Sequence, residues 1–386
     1  MTPRSILFLT ANLRIGGAQR QLVELASGLH RSGWSVTVVS CAPGGEFRDE
    51  LVRRGIPVLC VDKRGRWDIP FFLWRLWKVI AAIQPHVVHG YSTVPNFSLV
   101  LLRPFLRDTL VVWGMRNARL GGRVSATLGP FLSRFAHLII WNSQAGRTNS
   151  LAHGYASRAM TVVKNGIDVN RFMPDATARR DLRMEWGIGE KQRLVGYVAR
   201  LDPIKDHCAF LRAAQRVALA RSDVRFVCVG GGRAAYRQQL SALADELGLK
   251  DRMIWSGKRT DMERIYNALD LAVSSSTAEG CPNAVAEAMA TGVPCVATDV
   301  GDTANLVADL GTLCPPRQSG PLAEAIVDAL SGPPGDATRI RQRICEHYSS
   351  VAMVADSSAH IEEALRARQS APRSAANGRR QQEEQS

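Results

Sequence analysis

Two glutamates, Glu279 and Glu287, stand eight positions apart in the most distinctive stretch of the chain, residues 278–290. The apolar run 271–274 before them predicts a strand, and residues 283–291 have the spacing of a helix. The first amides of such a helix are unpaired and lie at its positive dipole end, which suits a phosphate. One carboxylate could accept hydrogen bonds from sugar hydroxyls, and the other could bind a ribose diol. A pair of glutamates at a solvated helix end is the alternative, although Glu287 falls within an otherwise apolar helix.

Two basic residues, Arg200 and Lys205, follow a second apolar run at 194–198. A guanidinium can hold two oxygens and an ammonium adds a point charge, so this pair suits a diphosphate leaving group. A surface loop that happens to carry two basic residues is the alternative.

A pair of glycines, Gly16 and Gly17, follows the first apolar run at 6–9. Adjacent glycines allow a backbone to approach a ligand closely, but the spacing is not that of a G-x-G-x-x-G dinucleotide site. The glycines at 230–232 also follow a strand, and we interpret them as mainly structural.

The elements that must position these residues follow from the alternation of apolar runs and helix-period segments. Near-continuous apolar strands between helices are typical of a parallel sheet covered on both faces. The predicted strands are residues 6–9, 35–40, 58–61, 87–89, 111–113, 138–141 and 162–163, then 194–198, 225–229, 253–255, 271–274 and 295–298. The fold class is therefore α/β, with two Rossmann-like βαβ domains facing each other across a cleft. Ligands bind outside the carboxyl ends of such strands.

Composition along the chain predicts the domain boundaries. Residues around 168–190 are polar and charged, as interdomain linkers often are, and the last residues have no apolar period. The predicted parts are a first domain over 1–168, a linker over 169–190, a second domain over 191–345, a C-terminal helix over 346–366 that packs on the first domain, and a disordered tail over 367–386.

The net charge of +14 is concentrated in the first half of the chain. Residues 1–170 carry 21 Lys and Arg against 8 Asp and Glu, whereas residues 171–386 carry 28 against 27. A one-sided basic field indicates an anionic partner. The positive charges are spread over helices without a nucleic-acid-binding motif, so we expect no nucleic acid. Eight cysteines without C-x-x-C spacing argue against a zinc site and a disulfide framework.

An anionic membrane surface is the partner that we predict for the first domain. Residues 69–80 mix aromatic side chains with Arg75 and Lys78, as interfacial amphipathic helices do. Further basic residues follow at Arg103, Arg107, Arg116, Arg119 and Arg123. The alternative is that residues 71–83 form an ordinary helix packed on the sheet. The charge asymmetry favours a cytoplasmic protein that lies peripherally on the inner face of the cell membrane.

The chain as a whole resembles the retaining glycosyltransferases of family 4, the group 1 glycosyl transferases, which have the GT-B fold. The matching stretches are GGAQRQLVELASGL at 16–29, VVH at 87–89, NGID at 165–168, GYVARLDPIKD at 196–206, EGCPNAVAEAMATGVPCVATDVGD at 279–302 and YSS at 348–350. The resemblance implies an acceptor-binding first domain and a donor-binding second domain.

Roles for the site residues follow from this resemblance. It implies that Glu279 contacts the donor sugar and Glu287 the ribose, with Arg200 and Lys205 on the donor diphosphate. Arg200, Lys205 and Glu279 would form the catalytic group.

The resemblance also implies further donor contacts. Gly16 and Gly17 belong to a loop that closes over the phosphate and the acceptor. Cys281, Pro282 and Asn283 match a turn whose backbone amides meet the sugar, and Lys258 would contact the base.

One departure from the family pattern is the lack of a histidine after the fifth strand. The residues there are Trp113-Gly114-Met115-Arg116-Asn117, so we expect Arg116 or Asn117 to contact the sugar or the acceptor. His89 and His137 are close only in sequence order, and a single histidine after an apolar strand is more often structural.

The predicted function is transfer of a hexosyl or N-acetylhexosaminyl group from a nucleotide-sugar donor, with retention. The acceptor would be lipid-phosphate-linked or a saccharide, in cell-surface polysaccharide or glycolipid biosynthesis. Front-face substitution fits the lack of an obvious carboxylate nucleophile. We expect no cofactor and no metal, because Arg200, Lys205 and helix dipoles can neutralise the diphosphate. A GT-B-fold sugar-nucleotide epimerase is the alternative.

Overall fold

A computed structural model describes residues 4–65, 67–116, 122–332 and 335–370 of the chain. Two parallel sheets with helices between their strands make up the fold, which confirms the predicted pair of α/β domains. Within β1 (Ser5–Thr10), Ile6 and Phe8 belong to one hydrophobic core while Leu7 and Leu9 belong to another. Because successive side chains of a strand point to opposite faces, both faces of the first sheet are buried.

The first sheet has seven strands in the order β3-β2-β1-β4-β5-β6-β7. After β1 these are β2 (Ser35–Ser40), β3 (Val58–Cys60), β4 (Val87–Tyr91), β5 (Leu110–Met115), β6 (Leu138–Trp141) and β7 (Ala159–Val162). The helices are α1 (Gly17–Arg31), α2 (Glu46–Arg53), α3 (Ile69–Ile83), α4 (Thr93–Leu102), α5 (Gly122–Ser133) and α6 (Gln144–Ala152), with a 3-10 turn at Arg103–Phe105 after α4. Six of the seven predicted strands are present with small differences at their ends, whereas β7 shares only Val162 with the predicted 162–163.

The second sheet has six strands in the order β10-β9-β8-β11-β12-β13. They are β8 (Arg193–Val198), β9 (Val224–Val229), β10 (Met253–Gly257), β11 (Leu271–Ser274), β12 (Cys295–Thr298) and β13 (Gly311–Cys314). Their helices follow α7 (Ala176–Glu185) and are α8 (His207–Ala220), α9 (Ala234–Glu246), α10 (Met262–Ala268), α11 (Asn283–Ala290), α12 (Thr303–Val307), α13 (Ser319–Ser331), α14 (Ala337–His347) and α15 (Ser350–Ser370), with a 3-10 turn at Pro203–Lys205. The sequence prediction missed β13, because this edge strand is short and begins with glycine and threonine.

The predicted linker over 169–190 requires a correction. It contains α7, which packs on α10 of the second domain. Arg183 of α7 is buried and donates to Asp270 at 2.8 Å. The segment is therefore part of the second domain rather than a free connection.

The chain returns to the first domain beside the point where it leaves. The amide of Ile167 donates to the carbonyl of Tyr348, and the amide of Ser350 donates to the carbonyl of Ile167, both at 2.8 Å. Helix α15 then packs on α1, where a side-chain carbon at Gly28 would lie 2.2 Å from Val354. The helix extends to Ser370, so the first four residues of the predicted tail are helical, and the rest of the tail lies outside the described residues.

Helix α3 uses its two faces differently. Phe72, Leu76 and Ile80 are buried against the sheet, as expected for an ordinary packed helix, while Phe71 and Trp74 are 67% and 52% exposed. Among the described residues, no helix combines the length and the hydropathy needed to cross a membrane.

Candidate active site

The candidate site lies where the carboxyl ends of the strands in the two sheets face each other. The strand order reverses between β1 and β4 in the first sheet and between β8 and β11 in the second. Loops diverge at such switch points and leave a crevice for a ligand. Arg116 follows β5, Arg200 follows β8, and Glu279 follows β11 after a short loop. The fold therefore brings the predicted site residues to one cleft.

Glu279 and Lys205 form a direct ion pair beyond the carboxyl ends of β8 and β11, the two central strands of the second sheet. The backbone carbonyl of Lys205 accepts hydrogen bonds from the hydroxyls of Tyr197 (2.5 Å) and Ser275 (3.1 Å). These two bonds fix the 3-10 turn that carries Lys205. Tyr197 and Ser275 are buried, so the Lys205 side chain projects from a rigid base. A fixed carboxylate beside a fixed ammonium can orient sugar hydroxyls and neutralise a phosphate.

Arg200 lies on the same side of the cleft but has a different environment. Its side chain is 67% exposed and donates to Asp202 at 2.8 Å. The structure thus gives each of the two predicted cations its own carboxylate, since Lys205 is paired with Glu279. The exposed guanidinium still has donors free to grip a diphosphate.

Glu287 lies one turn into α11 and is half-buried. Its carboxylate accepts a hydrogen bond from the hydroxyl of Tyr266 at 2.8 Å. Burial raises the pKa of this carboxyl to about 7, although the hydrogen bond from Tyr266 and the charges of Arg20 and Arg171 oppose the shift. A carboxyl with this pKa changes its charge near neutral pH, so a bound ligand can change its protonation state.

Asn283 serves the contact between the domains. Its side-chain oxygen accepts a hydrogen bond from the side chain of Asn165 at 2.7 Å, and its side-chain NH2 group donates to the carbonyl of Gly17 at 3.2 Å. Asn165 also donates to the carbonyl of Cys281 at 3.2 Å. Burial raises the pKa of the Cys281 thiol to about 12, so the thiol is not a nucleophile at neutral pH. With the adjoining Pro282, this turn joins the site loop to the first domain.

Gly16 and Gly17 begin α1 at the edge of the cleft. A side-chain carbon at Gly17 would lie 3.2 Å from the side-chain nitrogen of Asn283. A side chain at position 17 would therefore crowd Asn283, whose side chain would have to shift by a few tenths of an ångström.

Lys258, the predicted base contact, reaches across the cleft to Glu46 of α2. Glu46 also accepts from the amide of Ile15 at 3.2 Å, beside the glycine pair. The hydrogen bond from Lys258 is the main cause that lowers the pKa of Glu46 to about 2. Lys258 therefore lies at the cleft, and its ammonium is held by a carboxylate of the first domain.

Arg116, one of the two residues expected to contact the sugar or the acceptor, directly follows β5. Its guanidinium stacks on the ring of Tyr91, 4.1 Å from the centroid, and donates to the Tyr91 hydroxyl. It also reaches the side-chain oxygen of Asn165 at 3.5 Å. Because Asn165 also bonds to Cys281, Arg116 lies close to the loop of Glu279. Asn117 lies outside the described residues.

Neither nearby histidine is placed as a general base. His89 is fully buried, and burial holds its pKa well below the usual value. His137 precedes β6, at the amino edge of the sheet, and its pKa is lowered to about 3, first by burial and then by neighbouring arginines such as Arg368. Both are structural, as the sequence argument favoured.

Sequence reasoning assigned no role to four residues that the fold brings to the site, namely Glu46, Tyr91, Asn165 and Tyr266. Tyr91 had a usable signal, because it is a polar aromatic residue at the carboxyl end of a strand next to the switch point. Asn165 was part of the matched NGID stretch. Glu46 and Tyr266 had no local signal, since each acts only on a residue that is distant in sequence.

Two family models match the chain, one for each domain. The model described as Glycosyltransferase Family 4 matches residues 15–171, and the one described as Glycosyl transferases group 1 matches residues 192–332. The chain belongs to this glycosyltransferase family. The family assignment made from the motifs is thereby confirmed.

Relatives of this chain include enzymes of known name. The lipopolysaccharide core biosynthesis mannosyltransferase LpsB of Rhizobium meliloti is 31% identical over 238 residues, which cover 61% of this chain and 65% of LpsB. A D-inositol 3-phosphate glycosyltransferase of Mycobacterium sp. strain KMS is 34% identical over 215 residues, or 54% of this chain and 46% of the relative. The chain thus matches less than two thirds of the length of these relatives.

Solved structures show the fold over almost the whole chain. Anabaena Alr3699/HepE in complex with UDP-glucose has a TM-score of 0.84 at 22% identity and covers 93% of this chain and 99% of HepE. A glycosyltransferase from Rickettsia africae has a TM-score of 0.82 at 16% identity, covering 95% and 99%. The chain has the GT-B fold.

Proposed function

We propose that this glycosyltransferase moves a sugar from a nucleotide-sugar donor to an acceptor hydroxyl, with retention of the anomeric configuration. The observation that carries the proposal is the Lys205–Glu279 pair, held on a rigid base at the carboxyl ends of β8 and β11. Asn165 links this loop to Arg116 on the opposite domain. The complex of the similar HepE with UDP-glucose supports a donor of this class.

The proposed step is a front-face substitution. The bond from the anomeric carbon to the leaving phosphate oxygen breaks, and the acceptor oxygen bonds to the same face of that carbon. The acceptor proton passes to an oxygen of the departing diphosphate, so no protein base is needed. Arg200 and Lys205 neutralise the charge that grows on the diphosphate, and Glu279 orients the sugar. NMR of the first product tests this step, because an inverted configuration would contradict it.

We propose that no metal takes part, since two cationic side chains already serve the diphosphate. The expected result is full activity in excess EDTA. Loss of activity with EDTA, followed by recovery with magnesium or manganese, would contradict this part of the proposal.

A screen of nucleotide sugars by thermal shift identifies the donor, because a ligand that binds only the folded state raises Tm. Incubation with that donor alone then separates transfer from epimerisation. A transferase needs an acceptor for turnover, whereas conversion of the donor by itself would favour the epimerase.

The acceptor that we propose is lipid-phosphate-linked, at an anionic membrane surface on the cytoplasmic side. Helices α3, α4 and α5 lie side by side on one face of the first sheet. Their outer surfaces expose large apolar side chains, namely Phe71, Trp74, Leu101, Leu128 and Phe131, with Phe105 on the adjoining 3-10 turn. Together these form an apolar patch wider than the single helix predicted from sequence. Interfacial helices bind lipid through such a surface.

The basic residues near this apolar patch differ from those predicted. Lys78 is exposed and lies over the ring of Trp74, and Arg107 is exposed as well. Arg75 is turned inward, where it donates to the carbonyl of Val61 and to Asp68, and Arg116 lies in the cleft. Arg119 and the side chain of Arg123 lie outside the described part of the structure. Among the described residues, Arg75 and Arg116 therefore do not face the proposed membrane.

Vesicle co-sedimentation tests the membrane proposal. We expect binding to anionic vesicles at low ionic strength that weakens as salt screens the charges. No binding at low salt, together with full activity on a free soluble sugar, would contradict it.

A further inference from the structure

Asp302 connects the two domains next to the loop that carries Glu279. One oxygen of its buried carboxylate accepts a hydrogen bond from the amide of Gln144 (2.7 Å), and the other accepts from the amide of Ala145 (2.8 Å). These are the first two residues of α6. A carboxylate of the second domain therefore caps a helix of the first domain, where unpaired amides and the helix dipole stabilise a negative charge.

The backbone around Asp302 holds the Glu279 loop as well. The amide of Asp302 donates to the carbonyl of Gly280 at 2.9 Å. Gly301 has a φ of +61°, and a side-chain carbon there would lie 2.2 Å from the carbonyl oxygen of Glu279. This left-handed conformation favours glycine, and the close approach to the carbonyl leaves no room for a side chain. A displacement of Asp302 would thus displace the loop whose carboxylate binds Lys205.

Asn142 makes the same connection from the first domain. A side-chain carbon at Gly280 would lie 2.9 Å from the side-chain oxygen of Asn142, which shows how closely the two residues pack. The side-chain amide of Asn142 donates to the carbonyl of Arg116 at 3.4 Å. The start of α6, the strand end that carries Arg116 and the Glu279 loop therefore meet in one contact.

We propose that Asp302 is a positioning residue, which sets the Glu279 loop and the donor sugar relative to the first domain. The inference rests on the proposed transferase function. The charge and the two equivalent oxygens are essential to this role, because two amides donate to one side chain. An asparagine would present its own NH2 group to one of the amides and lose that hydrogen bond.

The test compares Asp302→Asn with Asp309→Asn as a matched control. The side chain of Asp309 is 72% exposed and pairs with Arg339 on the surface. For Asp302→Asn we expect kcat to fall by about 10- to 100-fold, as the loss of a hydrogen bond to a charged group predicts. Binding of the free nucleoside diphosphate product should change less than twofold, since its contacts within the second domain remain. The Asp309 variant should behave as wild type in both assays.

Hydrogen exchange gives a readout that does not depend on activity. Amides in the first turn of α6 should exchange faster in Asp302→Asn, while those of α11 keep their wild-type rates. Asp302→Glu keeps the charge and is expected to give exchange rates and a kcat between those of wild type and the asparagine variant. If Asp302→Asn does not fold, the same two measurements on Asp302→Glu test the inference.

Three results would overturn the inference: an unchanged kcat in a folded Asp302→Asn protein, unchanged exchange in α6, or a loss of nucleotide affinity equal to the loss of kcat. An inactive wild-type protein would instead contradict the proposed function. The exchange rates would then decide by themselves whether Asp302 couples the domains.

Discussion

The two domains share a fold but use their charged residues in different ways. In the second domain Lys205 is paired with Glu279, and Arg200 with Asp202, at one sheet edge. The first domain carries the excess positive charge, and its outer helices expose aromatic side chains. Paired charges on a rigid base suit one ligand of defined shape, whereas an apolar patch with basic residues suits a surface. Variants of the second domain should therefore lower the rate, and variants of the apolar patch should lower membrane affinity.

The largest effect that we expect is that of Lys205→Ala. It removes a cation that we propose neutralises the leaving diphosphate and leaves the half-buried Glu279 without its partner, so kcat should fall by about 100- to 1,000-fold. Steady-state kinetics should show a smaller change in KM, because charge on the diphosphate grows in the transition state. Arg200→Ala is the matched variant, and its exposed side chain predicts a loss of only about 10-fold. If KM rises in either variant while kcat stays constant, that residue only binds the ground state.

Glu287→Ala should weaken donor binding rather than catalysis. Removing hydrogen bonds between a carboxylate and a ribose should raise the donor Kd by about 10- to 100-fold while the fold survives. Calorimetric titration measures Kd, and circular dichroism checks folding. A variant that binds the nucleotide sugar as tightly as wild type would show that the ribose assignment is wrong.

The raised pKa of Glu287 predicts how stability depends on pH. The folded-state pKa of about 7 lies above the ordinary value of 4.5, so the folded protein favours the protonated carboxyl. This contribution to stability is complete in acid and is lost as the pH rises through about 7. Glu287→Gln stays neutral, so the Tm of wild type relative to this variant should fall between pH 5 and pH 8. A constant difference over that range would contradict the shift.

The smallest effect on the rate is expected for the apolar patch of the first domain. The double variant Phe71→Ser, Trp74→Ser should keep kcat on a soluble acceptor within about twofold but weaken vesicle binding by about 10-fold or more, because each ring buries apolar area in lipid. Leu219→Ser is the control, since Leu219 is 84% exposed on the second domain. Equal losses of vesicle binding in both proteins would mean that the patch is not the docking surface.

Local sequence patterns predicted most of the strands and the position of the site. Parallel strands buried on both faces are apolar runs, and the residues after them must lie at one edge of the sheet. This is why Arg200 and Glu279 could be placed at a cleft before the structure was known. Strand β13 was missed because an edge strand with few apolar residues has a weak pattern.

Contacts between distant parts of the chain could not be predicted in this way. Arg75 has the sequence context of a membrane-facing residue, but it turns inward to the carbonyl of Val61. Lys258 has the context of a ligand contact, but it pairs with Glu46 of the other domain. In both cases the partner is set by how helices and domains pack, which no local pattern records.

The sequence by itself therefore determined the family, the two-domain α/β fold and the set of residues at the strand ends, because these depend on side-chain periodicity and on motifs of short range. The tertiary structure decided which charges pair, how Arg116 stacks on Tyr91, and how Asp302 of one domain caps a helix of the other. Each of these depends on distances of a few ångströms between residues far apart in the chain. Such distances follow from the packing of the whole molecule.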